Sequence, residues 1–584
     1  MGSKFISNKE IAELFNQVAA AYQAKGENRF KVIAYENAAT SAEHATSELH
    51  DLWEQNKLDA VPGIGASIQK HLDELFKSGK VKHFEALKRD LPPGMFSLLG
   101  VGGLGPKSAF KLAKALNVKS RKELEDAAKA GKIRSLEGFG EKSEKDILTA
   151  LGEAKAAEKG RRYLMPEAFA TCERILKHLR AHKDCERAEP LGSLRRMVST
   201  VGDIDIAVAS NNPKGIIDHF QKFKEISRVL GAGPRKSSAL LYSGMQVDLM
   251  VEKTKAFGAL LQHFTGSKNH NIHLREYAIK KGWSVSDFGI KVKGKIKEFK
   301  TEEEFYKFLG MDYPAPELRE DTGEVEAALE HKLPKVVDIK DIKGDLHLHS
   351  SYPIEPSHDL GTGSMKEIVE RAKELGYDYV GLSDHSPGVS THTNAQIVKL
   401  IEKRTEAIEQ LKSSNKNIKV LNLLEIDILT NGELSVPEEG LKLLDGAIAG
   451  IHSSHRQDKK SITKRLLTAI HSPYVQIISH PTGRLLNQRP SYEADWPLIF
   501  SECKKTDTIL EINAWPNRMD LPDILVREAV KVGVKMIIDS DSHAVSQMDN
   551  MKFGVSVARR GWATPADIVN TYPWEKFKTY FNVK

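Results

Sequence analysis

The chain has 584 residues, of which 40% are hydrophobic and 28% are charged, and its net charge is +7. This composition indicates a soluble globular chain of about three to five domains, and the lack of any run of about 18 apolar residues excludes a transmembrane helix. The N-terminus lacks the apolar core of a signal peptide, and the cysteines have no ligand-like spacing, which predicts reduced thiols in a cytoplasmic protein. These cysteines are Cys172, Cys185 and Cys503.

Positive charge is concentrated in the middle of the chain. Residues 101–300 contain 39 Lys and Arg against 23 Asp and Glu, whereas residues 301–584 contain 35 against 43. Because neutralising phosphates supplies most of the affinity of proteins for nucleic acids, the basic middle predicts a polyanionic partner. A well-solvated basic surface is the simpler alternative on charge alone.

The first 155 residues are predicted to be helical, with three similar glycine turns that each precede an amphipathic helix. The turns occur in VPGIGASIQKHLDELF (61–76), LLGVGGLGPKSAFKLAKAL (98–116) and LEGFGEKSEKDILTAL (136–151). Such a turn leaves backbone N–H groups free to receive a phosphate oxygen, and three copies favour DNA-backbone binding over a mere turn role. The glycines concerned are Gly63, Gly65, Gly103, Gly105, Gly138 and Gly140.

Three aspartates fall on predicted strands of the next, mixed α/β region. The run VGDIDIAVAS contains Asp203 and Asp205, which share one face of a strand at 204–209, and QVDLMV contains Asp248 on a strand at 246–251. Clustered carboxylates are unfavourable alone but favourable around two divalent cations. The preceding GSLRR, with Ser193 and Arg196, favours a metal site over a surface strand edge.

The C-terminal region alternates short strands with helices, which predicts a closed or nearly closed parallel β/α barrel. The segment PAPELREDTGEVEAALEHKLPK (314–335), rich in Pro and Glu, is predicted to be the linker that precedes it. Histidines and acids recur at the strand ends, where barrels place their chemistry, in spacings that suit metal ligands. The candidate ligands are His347, His349, His385, Glu425, His452, His480, Asp541 and His543.

The motifs GSLRR…VGDIDIAV, QVDLMV and FGALLQHFTGSKNHNIHLREYA (257–278), preceded by the glycine turns, resemble those of family X DNA polymerases over residues 1–316. The resemblance implies that Asp203 and Asp205 bridge two Mg²⁺ (or Mn²⁺) ions and that Asp248 binds only the catalytic one. It also implies roles in binding the incoming nucleotide and the template strand. The residues implied are Ser193, Arg196 and Gly202 for the phosphates, Phe264, Gly266 and Asn271 for the sugar and base, and Arg275 for the template.

The sequence departs from the family pattern at several positions. Met197 replaces a usual Gly, Met250 follows Asp248 where a basic residue is common, and His263 replaces a Tyr that screens the ribose 2′-OH. Ribose discrimination and fidelity are therefore left open. His71 takes the place of the Schiff-base lysine of the family's lyase domain, which predicts no efficient lyase activity, although Tyr35 and the turn at 61–65 could still hold a 5′ end.

The barrel motifs resemble the polymerase and histidinol phosphatase (PHP) domain over residues 341–584. The resemblance implies up to three Mn²⁺ or Zn²⁺ ions that activate water for attack on a phosphoester, and removal of nucleotides or blocking groups from 3′ ends. Ile354 stands at the usual position of a ninth ligand, for which His358 and Asp359 are alternatives. Arg484 and Arg518 are predicted either to bind the phosphate or to form structural salt bridges.

The combined prediction is a multidomain chain of α+β and α/β class, with helical DNA-binding domains, a nucleotidyltransferase palm with a thumb, and a (β/α)7-like barrel. The predicted boundaries are 1–90 for a lyase-like domain, 91–155 for fingers, 156–255 for the palm, 256–316 for the thumb, 317–340 for the linker and 341–584 for the PHP domain.

The predicted function is gap-filling DNA synthesis in repair, coupled to 3′–5′ exonuclease or 3′-end processing. The expected partners are gapped or nicked double-stranded DNA and dNTPs, with no membrane, for a monomer in the bacterial cytoplasm near the nucleoid. Two alternatives are a DNA-end scaffold with weak catalysis and a template-independent nucleotidyltransferase with a phosphatase domain.

Overall fold

The computed structural model describes residues 6, 8–43, 49–54, 58, 64–99, 101, 104–158 and 162–581. The chain forms two compact units, Met1–Arg161 and Arg162–Lys584. Among the described residues no helix is both long and apolar enough to cross a membrane. The three cysteines are free thiols.

The first unit is helical throughout its described residues. Apolar side chains at helical spacing, such as Phe15, Leu72 and Leu112, are fully buried and build one core. Its helices are α1 (Asn8–Ala24), α2 (Arg29–Glu43), α3 (Leu49–Glu54), α4 (Ala66–Ser78), α5 (Lys82–Lys88), α6 (Gly94–Leu98), α7 (Pro106–Leu116), α8 (Arg121–Lys129) and α9 (Glu141–Glu158).

The second unit begins with the predicted palm, a five-stranded sheet in the order β2-β4-β7-β6-β5, in which only the β4–β7 pair is parallel. A separate two-stranded sheet joins β1 to β3. The elements are β1 (Tyr163–Leu164), α10 (Met165–Arg180), β2 (Arg187–Pro190), α11 (Gly192–Arg195), β3 (Thr200–Val201), β4 (Ile204–Ala209), α12 (Pro213–Phe220), β5 (Ile226–Ala232), β6 (Lys236–Leu241) and β7 (Gln246–Glu252).

The predicted thumb follows, and it includes part of the segment predicted to be a linker. Within 317–340, Arg319 is fully buried against Glu302, and Val325 and Ala328 pack in one apolar core with Phe305. The segment is therefore ordered and packed rather than a loose connector. The elements are α13 (Phe257–Thr265), α14 (Lys268–Lys280), β8 (Ser284–Ser286), β9 (Gly289–Val292), β10 (Lys295–Lys297), α15 (Glu302–Leu309) and α16 (Glu324–Leu329).

The C-terminal part is a barrel of seven parallel strands arranged in chain order. Ser542 hydrogen-bonds to the backbone of both His347 and His349, so the ends of the first and last strands are joined. The elements are β11 (Gly344–Asp345), α17 (Met365–Glu374), β12 (Tyr379–Leu382), α18 (Asn394–Ser414), β13 (Lys419–Asp427), α19 (Glu438–Leu441), β14 (Gly446–Gly450), α20 (Lys459–Ile470), β15 (Val475–Ile478), α21 (Trp496–Thr506), β16 (Ile509–Asn513), α22 (Asp523–Val532), β17 (Met536–Asp539), α23 (Met551–Arg560) and α24 (Trp574–Phe581).

Successive side chains along the barrel strands alternate between the inner and the outer face of the sheet. On β13, Leu421 and Leu423 pack in an inner cluster closed by Phe577 of α24, whereas Val420 and Leu424 pack outward. Glu425 continues the inner column two residues beyond Leu423. The inner face thus changes from apolar to acidic toward the C-terminal ends of the strands.

Arg404 of α18 is a fully buried cation that fixes the loop after β12. Its guanidinium donates to Asp384 Oδ2 at 2.7 Å, to Asn422 Oδ1 at 2.8 Å and to the Leu382 carbonyl at 3.0 Å. Asp384 in turn accepts a hydrogen bond from the backbone N–H of Ser350. The buried carboxylate therefore has its charge compensated by one arginine.

We expect Arg404→Met to destabilise the protein by about 3–5 kcal/mol, because it leaves the Asp384 carboxylate buried without its cation. Urea denaturation in the presence of a chelator measures the change. The exposed neighbour Lys403 supplies the control, and Lys403→Met should change stability by no more than about 0.5 kcal/mol. Equal midpoints for the two variants would contradict the assignment.

Candidate active sites

The parallel pairing of β4 with β7 brings the predicted carboxylates together. Asp205 stands opposite Asp248 in the register of the two strands, and Asp203 directly precedes β4. Gly192, with φ of 58°, lies so close that a Cβ atom there would be 2.6 Å from Asp205 Oδ2. This position therefore requires glycine both for its backbone angle and for the space beside the carboxylate.

Burial and mutual repulsion dominate the electrostatics of these acids. Burial, followed by the charges of Asp203 and Asp248, raises the pKa of Asp205 to about 7. Burial and Asp248 also raise the pKa of Asp203. Asp248 itself is held by the Ser238 hydroxyl and by Gln246 Nε2, which is 3.1 Å from its Oδ2. An arrangement of hard oxygen ligands that repel one another fits divalent cations.

The predicted phosphate-binding residues lie around this group, but Arg196 has other partners. Ser193 is half-buried in α11, and Gly202 is exposed in the turn before β4. Arg196 donates through Nε to Glu320 Oε1 at 2.9 Å and through Nη1 to the Thr265 carbonyl. A Cβ at Gly266 would lie 3.1 Å from the same Nη1, so Gly266 and Arg196 are neighbours.

The remaining predicted nucleotide-site residues lie on α13 and α14. Asn271 accepts a hydrogen bond from Gln262 at 2.8 Å and donates to the His263 carbonyl at 2.7 Å. Arg275 donates to the Asn271 carbonyl at 3.1 Å. Phe264 is partly buried beside His263, whose ring is 4.9 Å away. Met197, the replacement of a usual Gly, adopts a φ of 56°.

The glycine turns are described only in part. Gly65 and Gly105 cap the N-termini of α4 and α7, and neither has any atom within 4 Å of an added Cβ. Gly138 has a φ of 84°, and Gly140 precedes α9. Gly63 and Gly103 lie outside the described residues.

In the first unit, Tyr35 is buried and its hydroxyl lies 2.6 Å from Nδ1 of half-buried His71. Lys70 is exposed beside it in sequence. The absence of efficient lyase activity stays a prediction.

Glu425 lies at the centre of the barrel cluster. Its carboxylate oxygens are 2.9–3.1 Å from one nitrogen each of four histidines and 3.5 Å from His349. Burial alone would raise the pKa of Glu425, but the surrounding imidazoles hold it well below its usual range. The four histidines are His347, His385, His452 and His480.

The last two predicted ligands complete the cluster from the end of β17. Asp541 Oδ1 is 3.3 Å from His349 Nε2, and the ring of His543 stacks on that of His349 at 4.0 Å. Asp359 lies 3.4 Å from His543 Nε2 and 3.7 Å from His385 Nε2. Both alternatives for a ninth ligand border the cluster, because the His358 ring also lies 4.6 Å from that of His452 and 4.9 Å from that of His385.

Three acids behind the cluster were not identified from the sequence. Glu511 lies 2.5 Å from His347 Nδ1, and Asp427 lies 2.6 Å from His452 Nδ1 and 3.0 Å from His358 Nε2. Asp539 accepts from the Leu346 backbone at 2.8 Å. Such carboxylates fix the tautomer and orientation of metal-binding histidines. Each of these three acids lies two residues from a residue on the inner face of its strand, and this spacing was the sequence signal that could have identified them.

The two candidate phosphate-binding arginines differ in direction. Arg518 lines the pocket above the cluster, with Nε 3.7 Å from Asp541 Oδ2. Arg484 donates instead to the backbone carbonyls of Arg518 and Met519 and approaches Ser199 Oγ of the palm at 3.5 Å. Arg484 is thus held by backbone carbonyls rather than by a salt bridge, whereas Arg518 lines the pocket and pairs with Asp541.

The donor set of the barrel fits divalent transition metals. Four overlapping groups of three side chains place one potential ligand atom each within 4.8 Å of the others, and each contains at least one histidine. Nδ1 of His349 and Nδ1 of His480 are buried without a hydrogen-bond partner among the described residues. Imidazole and carboxylate together suit Mn²⁺ or Zn²⁺.

Family models match four segments of the chain. They are a helix-hairpin-helix domain (residues 6–81), a SAM-like helix-hairpin-helix tandem (96–153), the DNA polymerase beta thumb (260–320) and the PHP domain (345–513). Both the fold and the two carboxylate-rich sites thus define a polymerase joined to a PHP phosphoesterase.

Similar proteins agree with this class. The chain is 34% identical over 566 residues to DNA polymerase/3′-5′ exonuclease PolX of Bacillus subtilis, covering 96% of this chain and 97% of that protein. DNA polymerase lambda of Arabidopsis thaliana is 24% identical over 53% of this chain and 62% of its own length. A protein named "Probable phosphatase" from Thermoanaerobacter sp. is 25% identical over 41% of this chain and 94% of its length. The chain belongs to the bacterial family X DNA polymerases that carry a C-terminal PHP domain.

We expect Asp205→Asn to stabilise the metal-free protein at pH 8 by about 2 kcal/mol relative to wild type. Because the folded pKa of Asp205, about 7, exceeds the ordinary 3.8, protonation favours the folded state, and this contribution is lost as pH rises from about 4 through 7. Denaturation at pH 5 and pH 8 with a chelator measures the difference between the two proteins.

Added Mg²⁺ should reverse the order at pH 8, because the wild type then gains binding free energy that the variant loses. The exposed Asp218 of α12 provides the control, and Asp218→Asn should follow the wild type at both pH values. A wild-type advantage at pH 8 without metal would contradict this account.

Proposed function

We propose that the protein fills short gaps in DNA by template-directed synthesis during repair and that its barrel removes nucleotides or blocking groups from 3′ ends. The polymerase half rests on one observation, the placement of Asp205 opposite Asp248 on adjacent parallel strands beside the Gly192 turn. The name of the Bacillus relative combines a DNA polymerase with a 3′-5′ exonuclease.

In the palm, Asp203, Asp205 and Asp248 would hold Mg²⁺ or Mn²⁺. Cations bound there would supply the charge that lowers the pKa of a primer 3′-hydroxyl and balances a triphosphate. Ser193, Arg196 and Gly202 would bind the phosphates, since a guanidinium presents a fixed fork of donors. Phe264, Gly266 and Asn271 would contact the sugar and base, and Arg275 the template.

In the barrel, the eight predicted ligands, with Asp359 or His358 as a ninth, would hold up to three Mn²⁺ or Zn²⁺ ions. These ions would supply an activated water for phosphoester hydrolysis. Glu511 and Asp427 would orient His347 and His452, and Arg518 would neutralise the substrate phosphate. Glycine turns with open N-termini, at Gly65 and Gly105, support sequence-independent contacts to the DNA backbone.

We further propose a substrate, an oligomeric state and a cellular location. The substrate is gapped or nicked double-stranded DNA with dNTPs, because the family combines helix-hairpin-helix modules with a polymerase thumb. The protein would act as a monomer in the bacterial cytoplasm, near the nucleoid. Gel filtration and fluorescence microscopy of a tagged chain test these two features.

The central experiment uses a one-nucleotide gapped duplex whose 3′ end is either free or phosphorylated. We expect Asp205→Ala to lower primer extension by more than about 100-fold, because even residues that only orient a metal ligand cost 10–100-fold. The same variant should process 3′ ends at the wild-type rate. His349→Ala should show the reverse pattern.

Three outcomes would overturn parts of the proposal. No extension by the wild type would favour a DNA-end scaffold, and equal extension on single-stranded and gapped DNA would favour a template-independent transferase. Undiminished 3′ processing by His349→Ala would remove the barrel from that reaction.

A further inference from the structure

The mouth of the barrel pocket carries side chains that the metal cluster does not use. The pocket has a volume of about 300 Å³, and its floor contains Glu425, His385 and Asp541. We call the remaining wall the rim, and it consists of His455, Leu485, Arg489, Trp515 and Arg518. The rim therefore offers one indole, one imidazole, one aliphatic side chain and two guanidinium groups next to the cluster.

Trp515 is fixed beside the cluster. It lies two residues after the end of β16, and its backbone N–H donates to Asn513 Oδ1 at 2.9 Å. Its indole meets the His543 ring edge to face at a centroid distance of 5.6 Å. The indole thus packs directly against a predicted metal ligand. A nucleotide whose phosphate is bound on the floor could place its sugar or base against this indole.

The two rim arginines are anchored from below. Arg489 donates through Nε to the Gly483 carbonyl at 2.9 Å, and its Nη1 is 3.4 Å from His455 Nδ1. Arg518 is held near Asp541 at 3.7 Å. Both cations face a pocket whose floor would otherwise bind anions only through metal, and a guanidinium matches phosphate geometry.

We propose that the rim is a subsite for the 3′-terminal nucleoside that leaves during exonuclease action, with its base stacked on Trp515. The inference rests on the proposed exonuclease activity. In the reaction, the oxygen of water bonds to phosphorus while the bond from phosphorus to the 3′-oxygen of the penultimate nucleotide breaks. That oxygen takes a proton, and a deoxynucleoside 5′-monophosphate is released from the rim.

The size of the pocket adds a substrate requirement. A volume of about 300 Å³ lies at the lower end of ligand pockets and suits one nucleotide rather than a base pair. The terminal nucleotide must therefore unpair before it enters. Removal of a 3′-phosphate differs, because no departing nucleoside then occupies the rim.

The test compares Trp515→Ala and Trp515→Phe on two DNA substrates, one with an unpaired 3′-terminal nucleotide and one with a 3′-phosphate. We expect Trp515→Ala to lower kcat/KM for nucleotide removal by about 10-fold, within the range that base stacking supplies, whereas Trp515→Phe retains most activity. Release of inorganic phosphate should be unchanged in both. Trp496→Ala, which removes a half-buried indole of α21 outside the rim, should leave both activities unchanged.

Equal loss of both activities in Trp515→Ala, or no loss of either, would overturn the subsite while leaving the exonuclease assignment in place. A wild type that releases phosphate but removes no nucleotide would overturn the proposed exonuclease activity and the subsite together.

A second inference rests on a different observation, a carboxylate shared between the palm and the barrel. Glu320 Oε1 accepts from Arg196 Nε at 2.9 Å and from Nη1 of Arg560, on α23, at 2.9 Å. Arg560 also donates to the Arg196 carbonyl at 2.8 Å and pairs with Asp523 at 2.7 Å. The Arg560 side chain is only 8% exposed.

The guanidinium atoms of Arg196 that would fork a phosphate are thus already engaged by Glu320 and by the Thr265 carbonyl. We propose that Glu320 competes with the nucleotide triphosphate for Arg196, and that Arg560 of the barrel is a positioning residue that retains Glu320 when the nucleotide displaces it. This inference rests on the proposed role of Arg196.

The test measures steady-state gap filling by two variants that should change KM for dNTP in opposite directions. Glu320→Gln should lower KM for dNTP about 3-fold, and Arg560→Gln should raise it about 3-fold, with smaller changes in kcat, while the double variant should match Glu320→Gln. A purely structural contact would raise KM in both. The adjacent pair Arg559 and Glu317, 2.8 Å apart, supplies control variants that should leave KM unchanged.

A rise in KM for Glu320→Gln would overturn the competition. If Arg196→Gln left KM unchanged, the proposed role of Arg196 would fail instead, and the two failures are thereby distinguished.

Discussion

The parallel pairing of β4 with β7 is the constraint on which the polymerase site depends. It sets Asp205 opposite Asp248, and burial together with the neighbouring charges raises the pKa of Asp205 to about 7. A sheet does not retain such a pair for its stability, because the repulsion acts against folding. The surrounding architecture is arranged around the repulsion. Gly192 leaves room for the carboxylate, and Ser238 and Gln246 hold Asp248 in place.

In the barrel, the charge of a buried carboxylate is balanced by surrounding histidines. Alternation along β13 carries the inner column from Leu421 and Leu423 to Glu425, so an apolar plug supports an acidic floor. Histidines then surround Glu425, and the acids Glu511 and Asp427 lie behind two of those histidines. Each of these two imidazoles, of His347 and His452, is thus placed between two carboxylates. This arrangement keeps one nitrogen directed to the centre, which is how a protein prepares a neutral ligand for a cation.

Local periodicity explains how much of this could be predicted from the sequence. The strand predicted at 204–209 is β4, the strand predicted at 246–251 lies within β7, and the closed or nearly closed barrel is confirmed. The assigned ligand roles stay predictions. Partners distant in the chain could not be found this way, because tertiary packing decides them. Arg196 meets Glu320 across 124 residues, and Arg560 reaches the Arg196 carbonyl across 364. The segment predicted to be a linker likewise has little apolar periodicity, and the partner that buries Arg319, Glu302, lies outside that segment.

These distant contacts make the barrel part of the polymerase site's surroundings. Arg559 and Arg560 end α23 and bind Glu317 and Glu320, which both lie in the segment predicted to be a linker. From the other side, Arg484 approaches Ser199, and Asn487 donates to the Arg162 carbonyl at 2.8 Å. A movement of the thumb segment that displaces Glu320 would therefore pull on α23, and α23 packs against β16 and β17, the strands that lead to Trp515 and Asp541. Contacts therefore run from Arg196 through Glu320 and Arg560 to α23, and from α23 to the strands that lead to the floor of the barrel.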